Sequence, residues 1–186
     1  MGQGLPVTSY ALLGLLTFGD ELTGYELKQR ADNTLRFYWS SPAMSQVYSE
    51  LGRLAQHGMV EAVSADEVGG RPTTRYRITR QGHEELRGWM EDEPAGFPVL
   101  KHPVALRLLI GHLLDSAGSV QLLRDYLDDL DRQRKELDDV RESLRGRDGP
   151  GEPFRYPALV ADWGLAYYDS EGRIAREILG RLESEG

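Results

Sequence analysis

The chain has no cysteine among its 186 residues. That excludes a disulfide framework, a thiolate nucleophile and a zinc–thiolate site, and it fits a cytoplasmic protein. Long apolar runs are also missing. The longest stretches, "YALLGLLTF" and "VALRLLIGHLL", are too short and too interrupted to span a membrane, and no signal peptide is read at the start. No membrane partner is therefore expected. His57, His83, His102 and His112 form no HExxH pattern, and no GxSxG, Walker loop or GxGxxG is present. The reading is a non-enzyme with no catalytic residues, no metal and no cofactor. Asp128-Asp129 and Asp138-Asp139 read as a solvated helix face rather than a cation site. Positive charge is scarce as well, with 22 Lys and Arg against 30 Asp and Glu, a net charge of -8. The shortage is uneven. Residues 1–90 hold nine basic against ten acidic side chains, and residues 91–186 hold thirteen against twenty. The second half repels polyanions, so any nucleic-acid surface is expected in the first.

What is present reads as mainly helix with one hairpin. "VTSYALLGLL" puts Tyr10, Leu13 and Leu16 on one helical face, with Thr8 or Ser9 as N-cap and Gly19 at the end. Thr23 and Glu26 have the spacing of a capping box, which predicts a second helix from "TGYELKQRAD". Ser41 as cap with Pro42 in the first turn predicts a third. Met44, Val47, Leu51, Leu54 and Ala55 make its apolar face, Ser45, Gln46, Ser49 and Arg53 fall mainly opposite, and Gly58 closes it.

"MVEAVSA" reads as a strand, Gly69-Gly70 as a turn, and "TTRYRIT" as a returning strand. Tyr76 and Ile78 alternate there with Arg75 and Arg77, so one hairpin face is expected to be buried and the other basic and solvated. Thr79 can cap a further helix carrying Leu86, Trp89 and Met90. Three helices, a strand, a turn, a strand and a helix form the order of a winged helix-turn-helix, assigned to residues 1–90.

Residues 91–102, with two prolines and a glycine, read as a linker. Residues 103–186 read as a helical dimerisation domain. A long helix over 119–145 places Leu123, Leu127, Leu130, Leu137 and Leu144 near coiled-coil spacing, interrupted by Arg134 and Arg141. A last helix over about 157–183 carries Trp163 and Tyr167. The seam argues for a partner, the simplest being a second copy, with Trp163 added to the contact. The plainer reading packs these helices onto the first domain.

"SYALLGLL", "LTGYELKQR", "SQVYSELGRLAQHGMVEA" and "GGRPTTRYRITRQGHEELRGWM" resemble the PadR family of bacterial transcriptional regulators, well over residues 5–90 and by composition over 103–183. The resemblance implies a homodimeric repressor on a palindromic double-stranded DNA operator, controlling its own or a neighbouring gene and released by a small aromatic effector. The family often reads "LYP" where this chain has Val47-Tyr48-Ser49. Ser45, Gln46 and Ser49 are the base-edge candidates; otherwise they are a solvated helix face. Tyr48 reaches a phosphate or covers the core. Arg53 reaches a phosphate or pairs with Glu50. Thr23, Gly24 and Tyr25 stand at a helix N-terminus suited to phosphate, although the capping box alone explains Thr23. Arg71, Thr73 and Arg75 are the wing contacts, while Arg77 and Arg80 lie nearer its base. Trp163 and Tyr167 line an effector site or are simply core. The alternative function is a protein-interaction or ligand-sensing adaptor of the same fold without specific DNA binding.

Overall fold

The computed structural model describes residues 4–68 and 71–185, with side chains described outside 64–73 and 185. It divides into two units, Met1–Gly96 and Phe97–Gly186.

In the first unit, α1 (Val7–Leu15) runs into a 3-10 turn ending at Gly19, whose φ of 86° suits a residue without a side chain. Then come β1 (Leu22–Thr23), α2 (Gly24–Thr34), α3 (Met44–Gln56), β2 (Val60–Val68), β3 (Arg71–Ile78) and α4 (Arg80–Asp92). The strands form an antiparallel sheet in the order β1-β3-β2. Val60 pairs with Ile78 and Ala62 with Tyr76; beyond a bulge Ser64 meets Arg75. The bulge puts Val63 outside the pairing and bends the hairpin. The expected Gly69-Gly70 turn lies outside the described residues. Two-residue β1 was not expected, because so short a strand carries no alternation to read.

The core of this unit is formed by Leu12, Leu13 and Leu16 of the α1 segment, Leu27 and Ala31 of α2, Val47, Leu51 and Leu54 of α3, and Leu86 of α4. Tyr10 stacks on Trp89 at 4.7 Å, and its hydroxyl donates to Glu85 at 3.0 Å, tying α4 to α1.

Thr79 caps α4 as expected, accepting from Gly82 N at 3.1 Å. Two other expected caps are replaced. The N-cap of α1 is Pro6, and Ser9 is buried inside the helix instead. The N-cap of α3 is Ala43, without a side-chain bond. Ser41 is unavailable because its hydroxyl donates to Asp32 and accepts from Lys28.

Residues 94–102, across the boundary of the two units, carry no regular element. They are followed by α5 (Pro103–Leu109), a 3-10 turn, α6 (Ser116–Ser143) and α7 (Arg155–Glu185). Asp115 caps α6, accepting from Gly118 N at 2.7 Å. The long helices pack antiparallel. Leu123, Leu130 and Leu137 of α6 are buried with Ala158, Ala161 and Ala175 of α7.

Of the leucines expected at a dimer seam, Leu137 and Leu130 lie against Gly164 and Gly172 of α7 in the same chain, so part of that seam is filled within one copy. Heptad spacing says that a helix faces the seam, not which chain supplies it. Leu127 and Leu144 are half-buried. Arg134 and Arg141, expected as breaks, carry ion pairs instead: Arg134 Nε lies 2.6 Å from Asp169, and Arg141 Nε lies 2.6 Å from Asp162. None of the residues of α5 is buried.

Candidate nucleic-acid interface

The N-terminus of α2 is built by the expected capping box. Thr23 Oγ1 accepts from Glu26 N at 3.1 Å, and Glu26 accepts from Thr23 N at 2.8 Å. The Thr23 hydroxyl is thus committed within the helix, and the residue is buried. That backbone hydrogen bond, helped by the nearby Arg75 guanidinium, holds the Glu26 carboxyl below its ordinary range. Gly24 is there for space. A Cβ at this position would come 2.5 Å from the Tyr48 ring, so the glycine admits that ring against α2. Tyr48 and Tyr25 remain about half exposed, at 53% and 56%. Two phenol rings therefore flank the α2 terminus, and Tyr25 accepts from Gln29 at 3.1 Å.

α3 sorts its residues sharply. Val47, Leu51 and Leu54 are buried, while Ser45, Gln46, Tyr48 and Ser49 are exposed together along the other side. Ala55, expected on the apolar face, is exposed. The unexpected member of the buried face is Glu50. Ser9 Oγ donates to Glu50 Oε2, and Arg53 Nη1 lies 3.1 and 3.0 Å from the two carboxylate oxygens. Of the two readings of Arg53, the structure shows the ion pair.

The hairpin carries less free positive charge than its sequence suggests. Arg75 Nη1 donates to the Glu21 carbonyl at 2.7 Å and to Glu26 Oε2 at 3.1 Å, and Nη2 donates to Glu26 Oε1 at 3.3 Å. It clamps β3 to the capping box of α2. Arg77 lies 2.8 Å from Glu61 and 3.4 Å from Glu21, and Arg80 lies 2.8 Å from Glu84. The expected basic face is therefore charge-compensated by carboxylates from outside the stretch. Strand register explains part of this, since Glu61 pairs directly with Arg77 and Thr23 with Arg75. In the backbone, Arg71 stands opposite Val68 and Thr73 opposite Asp66. The side-chain roles assigned to Arg71 and Thr73 lie outside the described residues.

Trp163 is 75% exposed and Tyr167 44%. A groove of about 460 Å³ in this unit is lined by Arg107, Ile110, Leu113, Leu114, Gly118 and Leu122. A cluster that motif reading missed lies nearby in the same unit. His102 Nδ1 accepts from Ala105 N at 3.1 Å, and Nε2 lies 2.7 Å from Glu171 and 3.1 Å from the Tyr126 hydroxyl. Burial, and then Glu171, push the Tyr126 phenol well above its ordinary value. The cluster caps α5 and ties it to the α6–α7 pair.

Residues 12–88 match the transcriptional regulator PadR-like family. The negative transcriptional regulator PadR of Bacillus subtilis is 26% identical over 150 residues, which cover 81% of this chain and 80% of that protein. Two solved structures of B. subtilis PadR share the fold. One, in complex with operator DNA, has a TM-score of 0.83 at 24% identity and covers 95% of this chain and 99% of that one. The other, in complex with p-coumaric acid, has a TM-score of 0.76 at 24% identity and covers 96% and 99%. The first unit is thus a winged helix-turn-helix whose residues 12–88 match the PadR-like family of transcriptional regulators, and nearly the whole chain shares the fold of the solved PadR structures.

Proposed function

We propose that the chain is a homodimeric, DNA-binding transcriptional repressor of the cytoplasm, acting on its own or a neighbouring gene and released by a small aromatic effector. The supporting observation is the division of α3, with Val47, Leu51 and Leu54 inside and Ser45, Gln46, Tyr48 and Ser49 outside, beside Tyr25 and the α2 terminus. An exposed polar helix face of this kind suits a major groove. Residues 91–102 act as the linker between this reader and a dimerising region over 103–186. The second copy covers apolar surface left open there, including Leu106 and Leu109 of α5 and Trp163 of α7. Two recognition helices then meet half-sites about 10 bp apart or a multiple of that. The effector reading rests on the B. subtilis relative solved with p-coumaric acid. No catalytic task is assigned.

A gel shift on the chain's own upstream DNA tests this. Gln46→Ala is expected to lose about 1–3 kcal/mol of discrimination at one base position. Arg71→Ala is expected to weaken binding to all sequences and flatten the salt dependence by about one counterion. A second reading, an adaptor without specific DNA binding, draws on the pairing of Arg75, Arg77 and Arg80 with carboxylates. No sequence-specific shift at low salt establishes that reading and ends the first.

A further inference from the structure

Glu50 lies on the same helix as the base-edge candidates, yet it is 5% exposed. It sits one turn beyond Gln46, on the border between the buried and exposed faces of α3. A buried carboxylate is costly unless it is both hydrogen-bonded and paired. Glu50 meets both demands with partners on two elements. Ser9 of α1, fully buried, donates to Oε2, while Arg53, three residues along α3, lies 3.0 Å from the same oxygen. The leucine contacts of α3 fix how deeply it sits but resist rotation weakly, because apolar packing is non-directional. A hydrogen bond to a fixed hydroxyl is directional. Base readout demands side chains held within about 0.5 Å and 10–20°.

We infer that Glu50 is a positioning residue for DNA reading: through Ser9 it sets the rotation of α3 on α1, and by engaging Arg53 it withholds that cation from phosphates. This rests on the DNA-binding reading above. Ser45, Gln46 and Ser49 touch the bases; Glu50 touches none and acts through the angle at which they are presented.

The test uses the full chain with Glu50→Gln, Ser9→Ala and the double variant Glu50→Gln/Arg53→Gln. Affinity is measured for the upstream DNA and for an unrelated duplex of equal length, over a range of salt. In Glu50→Gln the ratio of specific to non-specific affinity falls about tenfold, the scale of one misread base pair. Non-specific binding tightens, and the salt slope steepens by about one as Arg53 is released. Ser9→Ala lowers the ratio and leaves the slope alone. The double variant keeps the lowered ratio and returns to the parental slope. Should Glu50→Gln not fold, Ser9→Ala carries the test.

A lowered melting temperature with parental ratio and slope overturns the inference, because a merely structural carboxylate predicts that pattern. If the parent itself does not discriminate the two duplexes, the DNA-binding reading has failed instead. The orientation of α3 is then decided by amide exchange in Ser9→Ala. Exchange faster in α3 than in α2 upholds the clamp; parental exchange in both overturns it.

Discussion

Met1–Gly96 buries Leu12, Leu13, Leu16, Leu27, Leu51 and Leu54 almost completely, drawing on three helices that close around one another. Phe97–Gly186 buries Leu123 and Leu137 to the same degree along a single seam, and exposes Phe97, Leu100, Leu106, Leu109, Leu113 and Trp163. Both units contain similar apolar side chains. The difference is layering: a helix pair has one interface, so every apolar residue off that interface faces outward. The first unit closes its leucine core within a single copy, and its exposed large apolar side chains are mostly aromatic: Tyr25, Tyr38, Trp39 and Tyr48, with Val7 and Met90. The second is built with surface to spare, which is why the dimerising role is placed there.

The closest approaches in the two units give the largest contrast. At Gly82 of α4 an added Cβ would lie 2.2 Å from the Met59 carbonyl oxygen and 2.8 Å from Ile78 Cγ1. Backbone cannot yield there, so Gly82→Ala is expected to cost about 3 kcal/mol. At Gly164 of α7 the Cβ would lie 2.6 Å from Leu137 Cδ2, the free end of a side chain. The shift of that leucine is offset by the helix-forming advantage of alanine, about 1 kcal/mol, so Gly164→Ala is expected to be nearly neutral. Denaturant midpoints of the two variants measure this. Equal losses would mean that the seam is packed as rigidly as the first unit.

Dilution is the next lever. If a second copy covers α5 and the outer side of α7, each tenfold dilution in the dimer range weakens the second unit by about 1.4 kcal/mol. The first unit keeps its stability. Hydrogen exchange separates the two: amide protection in α6 should fall with concentration while protection in α3 stays level. Protection in α6 that is independent of concentration removes the dimer from this unit.

The same contrast governs what could be read from sequence. Features closed within a few residues were legible. Thr23 with Glu26 and Thr79 with Gly82 are helix-start signals whose donors and acceptors lie three positions apart. Features closed by tertiary packing were not. Ser9 and Glu50 are 41 residues apart, Arg75 and Glu26 are 49 apart, and His102 and Glu171 are 69 apart. Each such pair follows from where the elements dock, and no local spacing announces it. Ser41 shows both forces at once: its sequence context favours a cap, but Asp32 stands within reach and takes its hydroxyl. The leucines of α6 were recognisable as an interface, but the identity of the covering helix was not. Its small residues, Ala158, Ala161, Gly164, Gly172 and Ala175, are local hints that leucines lie against it.

The smallest effect concerns the α2 terminus that the candidate interface shares with the fold. Thr23→Ala removes the acceptor for Glu26 N and is expected to cost about 1 kcal/mol. The Glu26 carboxyl, held below its ordinary value of 4.5 by the Thr23 N–H and then by Arg75, adds a pH-dependent part. Its folded pKa is depressed, so its contribution is fully present above 4.5 and is lost as pH falls through the depressed value. The side chain is 38% exposed, so solvent screening reduces that contribution to a few tenths of a kcal/mol. Asp169 and Asp148 in the second unit are also held down, by Arg134 and Arg141, and lose stability in the same direction. Acid therefore weakens both units by separate groups. Glu26→Gln keeps an acceptor for Thr23 N–H but removes the titration. Amide protection in α2 should then respond less to acid between about pH 6 and about pH 3, while that in α6 and α7 follows the parent. If α2 keeps its parental acid response, the capping box is not what couples this end of the interface to pH.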